Sequence, residues 1–171
     1  LIMVVIVMGV SGAGKSTVGA LLARRLGARF VEGDDHHPPA NIEKMRRGMP
    51  LDDSNRMPWL TALASEIQQH RAGNSDVVVA CSALKACYRE TLADGVPDIR
   101  FVYLKGDAAL IRRRFNERPG HFMPDTLLAS QFESLEEPPD AIVADIRDAP
   151  ERIVDAIHRR LWNATGRGGQ T

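Results

Sequence analysis

The stretch that decides the fold is residues 2–16, IMVVIVMGVSGAGKS. Its first half, residues 2–8, is a continuous apolar run rich in β-branched residues, which predicts a strand buried on both faces. Its second half, residues 9–16, matches the pattern G-x-x-x-x-G-K-[ST] in full. Residues 17–26 continue with a helical pattern, so the motif has the strand before it and the helix after it that it requires.

This loop predicts a site for a nucleoside triphosphate. Its glycines let backbone N–H groups close around a phosphate, and the following helix adds the positive end of its dipole. The Lys15 ammonium group reaches the β- and γ-phosphates in this arrangement, which makes it a catalytic candidate, and the Ser16 hydroxyl is a ligand for Mg²⁺. The predicted nucleotide-binding residues of the loop are Gly9, Val10, Ser11, Gly12, Ala13, Gly14, Lys15, Ser16 and Thr17.

Further apolar runs alternate with amphipathic helical stretches along the rest of the chain. The runs cover residues 28–31, 77–81, 101–104 and 141–144. This alternation predicts an α/β doubly wound structure, with a parallel sheet between two layers of helices. A length of 171 residues fits one domain over residues 1–171.

The composition excludes several classes of protein. There are 22 basic and 22 acidic residues, and this balance argues against a protein that binds nucleic acid or a membrane surface through bulk charge. The apolar residues 1–8 are too short to cross a bilayer and lack the basic start of a signal peptide. Cys81 and Cys87 are too few for a disulfide framework or a four-ligand zinc site, so we expect reduced packing residues in a cytoplasmic protein. Residues 164–171 are expected to form a flexible tail.

Two polar segments interrupt the alternation. Residues 34–60 begin with a proline-rich stretch that contains one short helical segment near residues 41–47, and we expect them to bind the substrate. Residues 112–124 are basic and rich in turn-forming residues, and we expect a mobile lid there.

The first of these segments opens with a candidate acid–base residue. The run at residues 77–81 ends without a carboxylate, whereas Asp34 follows the run at 28–31 closely. Asp34 is therefore the candidate for a water-mediated contact to Mg²⁺, for accepting the proton of the acceptor hydroxyl, or for both; the alternative is a capping or turn aspartate. His36 and His37 lack a third ligand at a suitable spacing, so for at least one of them hydrogen bonding to a polyol or carboxylate substrate is favoured over a metal site.

The lid segment contributes arginines. Arg114 and Arg118 are four residues apart and share a helical face, and Pro119 is expected to end that helix directly after Arg118. Both guanidinium groups are predicted to contact the phosphates, with Arg118 also stabilising the transferring group. For Arg112 and Arg113 we expect a solvated helix face, which is also the alternative for the other two.

Several segments together resemble the P-loop gluconate kinases. They are residues 7–17, 33–38 (GDDHHP), 41, 44–45 (KM), 48–51 (GMPL), 56, 58–60 (PWL), 81–85 (CSALK), 88–89 (YR), 118, 120–123 (GHFM), 130–132 (SQF) and 135–136 (LE). The resemblance implies the nucleoside monophosphate kinase-like fold, with a five-stranded parallel sheet and a small lid. It also implies transfer of the γ-phosphate of ATP to the 6-hydroxyl of gluconate, with Mg²⁺, in a homodimer.

A polyol that carries a carboxylate calls for cationic groups and hydrogen-bonding side chains. The substrate-binding candidates are Asp34, His37, Arg56, Lys85, Arg89 and His121. Arg56 and Arg89 have the alternative of structural ion pairs, and Trp59 is expected to be a packing residue.

Two other functions remain open from the sequence. One is a related P-loop kinase acting on shikimate or a nucleoside monophosphate, although Trp59 is the only aromatic residue in the acceptor segment to stack on a base. The other is a non-catalytic nucleotide switch, although the guanine-reading segment N-K-x-D does not occur.

Overall fold

The apolar run near the start of the chain forms the central strand of a sheet. Strand β1 (Val4–Met8) is buried along its whole length, because strands pair with it on both sides. The computed structural model describes residues 2–117, 119 and 124–164. Arg118 and His121 therefore lie outside the described residues, as do residues 165–171 of the expected tail.

The other strands and the helices alternate, as the sequence predicts. The strands are β2 (Arg29–Glu32), β3 (Val77–Ala80), β4 (Ile99–Lys105) and β5 (Ile142–Asp145). The helices are α1 (Lys15–Leu26), α2 (Pro39–Arg46), α3 (Asp53–Ala72), α4 (Ala86–Ala93), α5 (Ala108–Asn116), α6 (Asp125–Ser134) and α7 (Pro150–Ala164). A 3₁₀ turn, Gly33–His36, follows β2.

The sheet confirms the predicted α/β class and the five parallel strands. Its order is β2-β3-β1-β4-β5, and all neighbouring strands are parallel. Successive side chains of β1 enter different halves of the core: Val5 and Val7 pack with α1 and α7, and Ile6 packs with α3 and α4. The helices therefore cover both faces of the sheet.

The strand order places the ligand-binding edge. β1 lies between β3 and β4, so the chain leaves the sheet toward opposite sides at neighbouring carboxyl ends, and this is where open α/β sheets bind ligands. The loop after β1, the 3₁₀ turn after β2 and the loop after β3 all meet at this edge.

Two helix ends differ from the sequence-based expectation. Helix α3 begins at Asp53, inside the segment expected to be irregular, because Asp52 and Asn55 form a capping box there. Pro58 falls within α3 without ending it. Helix α5 ends at Asn116, two residues before the predicted end, so Arg112 and Arg114 lie in regular helix. The mobile lid at residues 112–124 stays a prediction.

The two cysteines differ in burial. Cys81 is buried in the core, as expected, whereas Cys87 is exposed on α4 and is not a packing residue.

Over residues 2–117, 119 and 124–164, no helix combines the length and the hydropathy that crossing a membrane requires.

Candidate active site

A cleft of about 190 Å³ opens at the carboxyl ends of the strands. The phosphate loop forms one side, the 3₁₀ turn and the start of α3 form a second, and α5 and α6 close it. The residues that line the cleft are Ser11, Lys15, Asp34, His37, Met45, Leu51, Arg56, Ser82, Phe115, Pro124, Leu127 and Gln131. The structure thus brings five of the predicted site residues together: Ser11, Lys15, Asp34, His37 and Arg56.

The phosphate loop has the conformation that its glycines allow. Gly14 has a φ of 97° and directly precedes α1, so the loop turns into the helix through a left-handed residue. Gly12 has a φ of 82°, and a Cβ there would lie 2.3 Å from the Phe115 ring. A side chain at position 12 would therefore separate the loop from α5.

Lys15 lies within this loop with its amine held in place. Its Nζ donates to the Val10 carbonyl oxygen at 3.0 Å. Burial lowers the pKa of Lys15, and the nearby carboxylates of Asp34 and Glu32 oppose that shift. Ser16 and Thr17 occupy the first turn of α1 and are exposed there.

Gln131 of α6 fastens the first half of the same loop. Its Oε1 accepts from the Ser11 backbone N–H at 2.7 Å, and its Nε2 donates to the Ser11 hydroxyl at 2.9 Å. One amide side chain thus satisfies two polar groups of the loop across 120 positions of sequence.

The 3₁₀ turn presents Asp34 to the cleft. The Asp34 side chain is 73% exposed, so its carboxylate is accessible to a ligand. Its Oδ1 lies 3.8 Å from Nε2 of His37, which is buried and stacks on the Trp59 ring at a centroid distance of 4.1 Å. Trp59 is 1% exposed and its Nε1 donates to the Gly33 carbonyl at 2.7 Å. Trp59 is therefore a packing residue, as expected.

Arg56 contributes a buried positive charge to the cleft. Its guanidinium group donates to the Leu51 carbonyl oxygen and approaches the Ser82 hydroxyl at 3.5 Å, and it lies 5.6 Å from the centre of the Tyr88 ring. No carboxylate in the described part of the chain forms an ion pair with Arg56. The structural ion pair that was the alternative from the sequence is thus not found among the described residues.

Arg89 and Lys85 lie near the cleft without lining it. Arg89 is buried and donates to the carbonyl oxygens of Ala83 and Leu84, at 2.9 and 3.0 Å. It thereby stabilises a turn in which Ala83 has a φ of 44°. Burial lowers the pKa of the Arg89 guanidinium group. Lys85 pairs with the Asp53 carboxylate at 2.8 Å, and this hydrogen bond raises the pKa of Lys85. The structure thus holds both side chains in contacts within the protein.

Arg114, the one predicted phosphate-binding arginine that the structure describes, is not among the residues that line the cleft. The Arg114 guanidinium group donates to the Ile146 carbonyl oxygen after β5. The ring of the next residue, Phe115, is the part of α5 that contacts Gly12 and lines the cleft. Arg112 of α5 pairs with Asp125 of α6 at 2.9 Å, which joins the two helices.

Similarity to known proteins identifies the family of this chain. A family model described as an AAA domain matches residues 4–138. The thermoresistant gluconokinase of Escherichia coli (strain K12) is 44% identical over 153 residues, which cover 87% of each chain. The gluconokinase of Gluconobacter oxydans (strain 621H) is 46% identical over 156 residues, which cover 91% of this chain and 87% of the relative. The chain belongs to the gluconokinase family.

A solved structure agrees with this assignment. The gluconokinase from Sinorhizobium meliloti 1021 superposes with a TM-score of 0.87 at 40% sequence identity, over 98% of each chain. The resemblance to gluconate kinases that the sequence motifs predict is therefore confirmed, and so is the kinase-like α/β fold.

Sequence reasoning missed two polar residues of this member of the gluconokinase family. Gln131 and Asn41 occur in segments that carry the resemblance, but neither has a neighbour in sequence that indicates its function. Asn41 is 3% exposed and bonds to His37. Both were predictable as part of a family motif, but nothing in the sequence indicates their partners: Gln131 bonds to Ser11 across 120 positions, and Asn41 bonds to His37 and to the backbone of Asn55.

Proposed function

We propose that this chain is a gluconokinase that transfers the γ-phosphoryl group of ATP to the 6-hydroxyl of D-gluconate, giving 6-phospho-D-gluconate and ADP. The observation that carries the proposal is Arg56, a buried guanidinium group in the same cleft as Lys15 and Asp34, with no carboxylate partner among the described residues. A buried charge of this kind is costly unless an anion compensates it, and the carboxylate of an aldonate supplies that anion. Family membership supports the same substrate.

The phosphoryl transfer uses the groups on the phosphate-loop side of the cleft. The oxygen of the acceptor hydroxyl attacks the γ-phosphorus while the bond to the β–γ bridging oxygen breaks, and ADP leaves. Lys15 compensates charge on the β- and γ-phosphates, and Asp34 accepts the proton of the hydroxyl. Arg114, Arg118 and His121 remain predictions from the sequence as further phosphate and substrate contacts.

Two oxygen donors, one on the first turn of α1 and one in the cleft, suit Mg²⁺. The exposed Ser16 hydroxyl and the accessible Asp34 carboxylate are hard oxygen donors, and Mg²⁺ uses one or two of these while it keeps several waters. When bound, the ion neutralises charge on the triphosphate.

The acceptor segment also supports a polyol over a nucleotide base. Trp59, the only aromatic residue in positions 34–60, is buried beneath His37 and offers no free face for stacking. The small cleft carries hydrogen-bonding groups at its wall instead.

A coupled assay of ADP release tests the proposal across gluconate, D-glucitol, shikimate and nucleoside monophosphates. We expect turnover with gluconate and at least tenfold lower kcat/KM with D-glucitol, which has the same carbon skeleton without the carboxylate. Faster turnover with shikimate or a nucleoside monophosphate would refute the assignment.

The two buried arginines provide a matched pair for the role of Arg56. Arg56→Met is expected to raise the KM for gluconate by roughly tenfold to a hundredfold, as the loss of a charged hydrogen bond does, and to abolish the preference over D-glucitol. Arg89→Met is expected to lower the melting temperature with a smaller change in that KM, because its partners are carbonyl oxygens of a turn. An unchanged KM in Arg56→Met would remove the carboxylate-binding role.

We also propose that the enzyme is a homodimer of the cytoplasm, which the resemblance to gluconate kinases supports. Light scattering on the purified protein tests the first statement, and fractionation of cells tests the second.

A further inference from the structure

The contacts of the His37 imidazole determine which of its two ring nitrogens carries the proton. The imidazole is buried and stacked on Trp59 with an angle of 17° between the ring planes. One ring nitrogen, Nδ1, lies 3.2 Å from Nδ2 of Asn41, and the other, Nε2, points toward the Asp34 carboxylate.

The partner of Asn41 decides which nitrogen of His37 carries the proton. Asn41 Nδ2 lies 2.8 Å from the backbone carbonyl oxygen of Asn55, which only accepts hydrogen bonds. The amide nitrogen of Asn41, and not its oxygen, must therefore face Asn55. Its second N–H then donates to His37 Nδ1, so Nδ1 is unprotonated and the neutral ring carries its proton on Nε2.

This tautomer leaves one N–H available at the cleft. The distance of 3.8 Å between His37 Nε2 and Asp34 Oδ1 is too long for a direct hydrogen bond. An oxygen atom between the two groups, about 2.8 Å from each, would accept from Nε2–H and donate its own proton to Asp34. The hydroxyl group of a substrate has this combination of a donor and an acceptor on one atom.

We propose that Asn41 is a positioning residue that fixes the Nε2–H tautomer of His37, so that His37 donates a hydrogen bond to the acceptor hydroxyl while Asp34 receives the proton of that hydroxyl. The kinetic part rests on the proposed function. The tautomer itself does not, because it is a property of the free protein. Burial lowers the pKa of His37, which keeps the ring neutral and agrees with this role.

Asn41 also joins α2 to α3 through Asn55, so the test must separate positioning from stability. The first measurement is the long-range ¹H–¹⁵N correlation spectrum of the uniformly ¹⁵N-labelled full chain without ligand, with His37 assigned by loss of its signals in His37→Gln. We expect the Nε2–H pattern for His37. An Nδ1–H pattern would overturn the proposal without any variant.

The second measurement compares Asn41→Asp and Asn41→Leu. Asp offers only acceptors to Nδ1 and is expected to move the proton there, and Leu, of similar size, removes the bond that fixes the ring. We expect kcat/KM for gluconate to fall about tenfold in both, with a change of less than about twofold in the KM for ATP.

His36→Gln is the matched control, since its ring bonds to the Glu32 carbonyl oxygen. It is expected to leave the spectrum of His37 and both kinetic constants unchanged. Equal losses for gluconate and ATP in the Asn41 variants, or an unchanged tautomer with full gluconate activity, would overturn the positioning role. A wild-type protein that does not phosphorylate gluconate would instead refute the proposed function.

Discussion

Lys15 and Asp34 carry opposite charges in one cleft, and the carboxylate acts on the amine. The Asp34 carboxylate favours the charged form of Lys15, against the effect of burial. The ammonium group is thereby kept available to a triphosphate, which brings a much larger negative charge to the same place. Asp34 therefore favours a charged Lys15 before the triphosphate binds, and the phosphates favour it once they are bound.

Replacing Lys15 tests the nucleotide half of the cleft. In Lys15→Met the charge on the β- and γ-phosphates is lost, and we expect kcat to fall by a hundredfold or more, on the order of the loss of a charge-stabilising donor. The coupled ADP assay measures it, and circular dichroism checks the fold. Lys105→Met, whose partner is the exposed Glu137, should retain full activity. A folded Lys15→Met protein with near-normal turnover would contradict the assignment.

Asp34→Asn tests proton acceptance. The amide keeps the shape of the carboxylate but does not take a proton, so we expect kcat to fall by roughly a hundredfold to ten-thousandfold while the KM for ATP changes only a few-fold. Asp35→Asn, one position along the same exposed turn, is the control. If Asp35→Asn shows the larger loss, the base is misassigned.

Single residues differ in how far the sequence predicts them. Lys15 was predictable because its role follows from a local motif whose geometry is always the same. Arg56 and Arg89 were equivalent in the sequence, because each had substrate binding and a structural ion pair as its alternatives. The direction of each side chain depends on packing: Arg56 turns toward Ser82 and the cleft, and Arg89 turns to the carbonyl oxygens of Ala83 and Leu84.

Among the elements, α6 is the one that ties the acceptor side of the cleft to the phosphate loop. Leu128 anchors it in the core, Leu127 lines the cleft, and Gln131 holds Ser11. The Arg112–Asp125 ion pair joins its start to α5. The conformation of the phosphate loop therefore depends on a helix that lies outside the nucleotide-binding motif.

Gln131→Leu removes this tie while keeping the size of the side chain. Two neutral hydrogen bonds are lost, at about 1 kcal/mol each, and we expect the KM for ATP to rise roughly tenfold. Gln68→Leu, whose amide donates to the Asp94 carbonyl oxygen far from the loop, is expected to bind ATP normally. Isothermal titration with a non-hydrolysable ATP analogue measures both, and equal affinities would show that Ser11 needs no support from α6.

Elements were predictable where the signal is local. The five apolar runs specify strands because both faces of the sheet are covered, so no alternation is needed to identify them. The start of α3 was missed because Pro58 and the polar residues before it are typical of a loop, whereas the Asp52–Asn55 capping box allows the helix to begin earlier. The partner of Arg114, the Ile146 carbonyl oxygen, lies 32 positions away and has no local signal.

At the scale of the whole molecule, burial of His37 makes the free energy of unfolding depend on pH. The pKa of His37 is lowered in the folded protein, chiefly by burial, with Arg56 adding to the shift and Asp34 opposing it. Between that value and about 6.5 the unfolded chain binds more protons, so stability is complete above about pH 6.5 and falls as the pH drops below it.

We therefore expect the urea midpoint to decrease between pH 7.5 and about pH 5.5, above the range in which most carboxylates titrate. His37→Gln should show a smaller decrease, because it removes the group that binds the extra proton. His70→Gln, which loses only a pair with Glu66 on α3, should keep the wild-type dependence. Parallel pH profiles for all three proteins would exclude His37 as the cause.

Gly33 has a consequence for redesign of the enzyme. A Cβ at this position would lie 2.2 Å from the Ala80 carbonyl oxygen, and its own carbonyl oxygen receives the indole N–H of Trp59. Gly33 thus contacts both ends of the segment that follows β2. It begins the segment in close contact with Ala80, and it accepts a hydrogen bond from Trp59 at the end. Positions 35–58 lie between these two attachments, beyond the predicted catalytic Asp34. We expect a graft that replaces positions 35–58 and keeps Gly33, Asp34 and Trp59 to change the acceptor that the enzyme recognises, while the phosphate loop stays as it is.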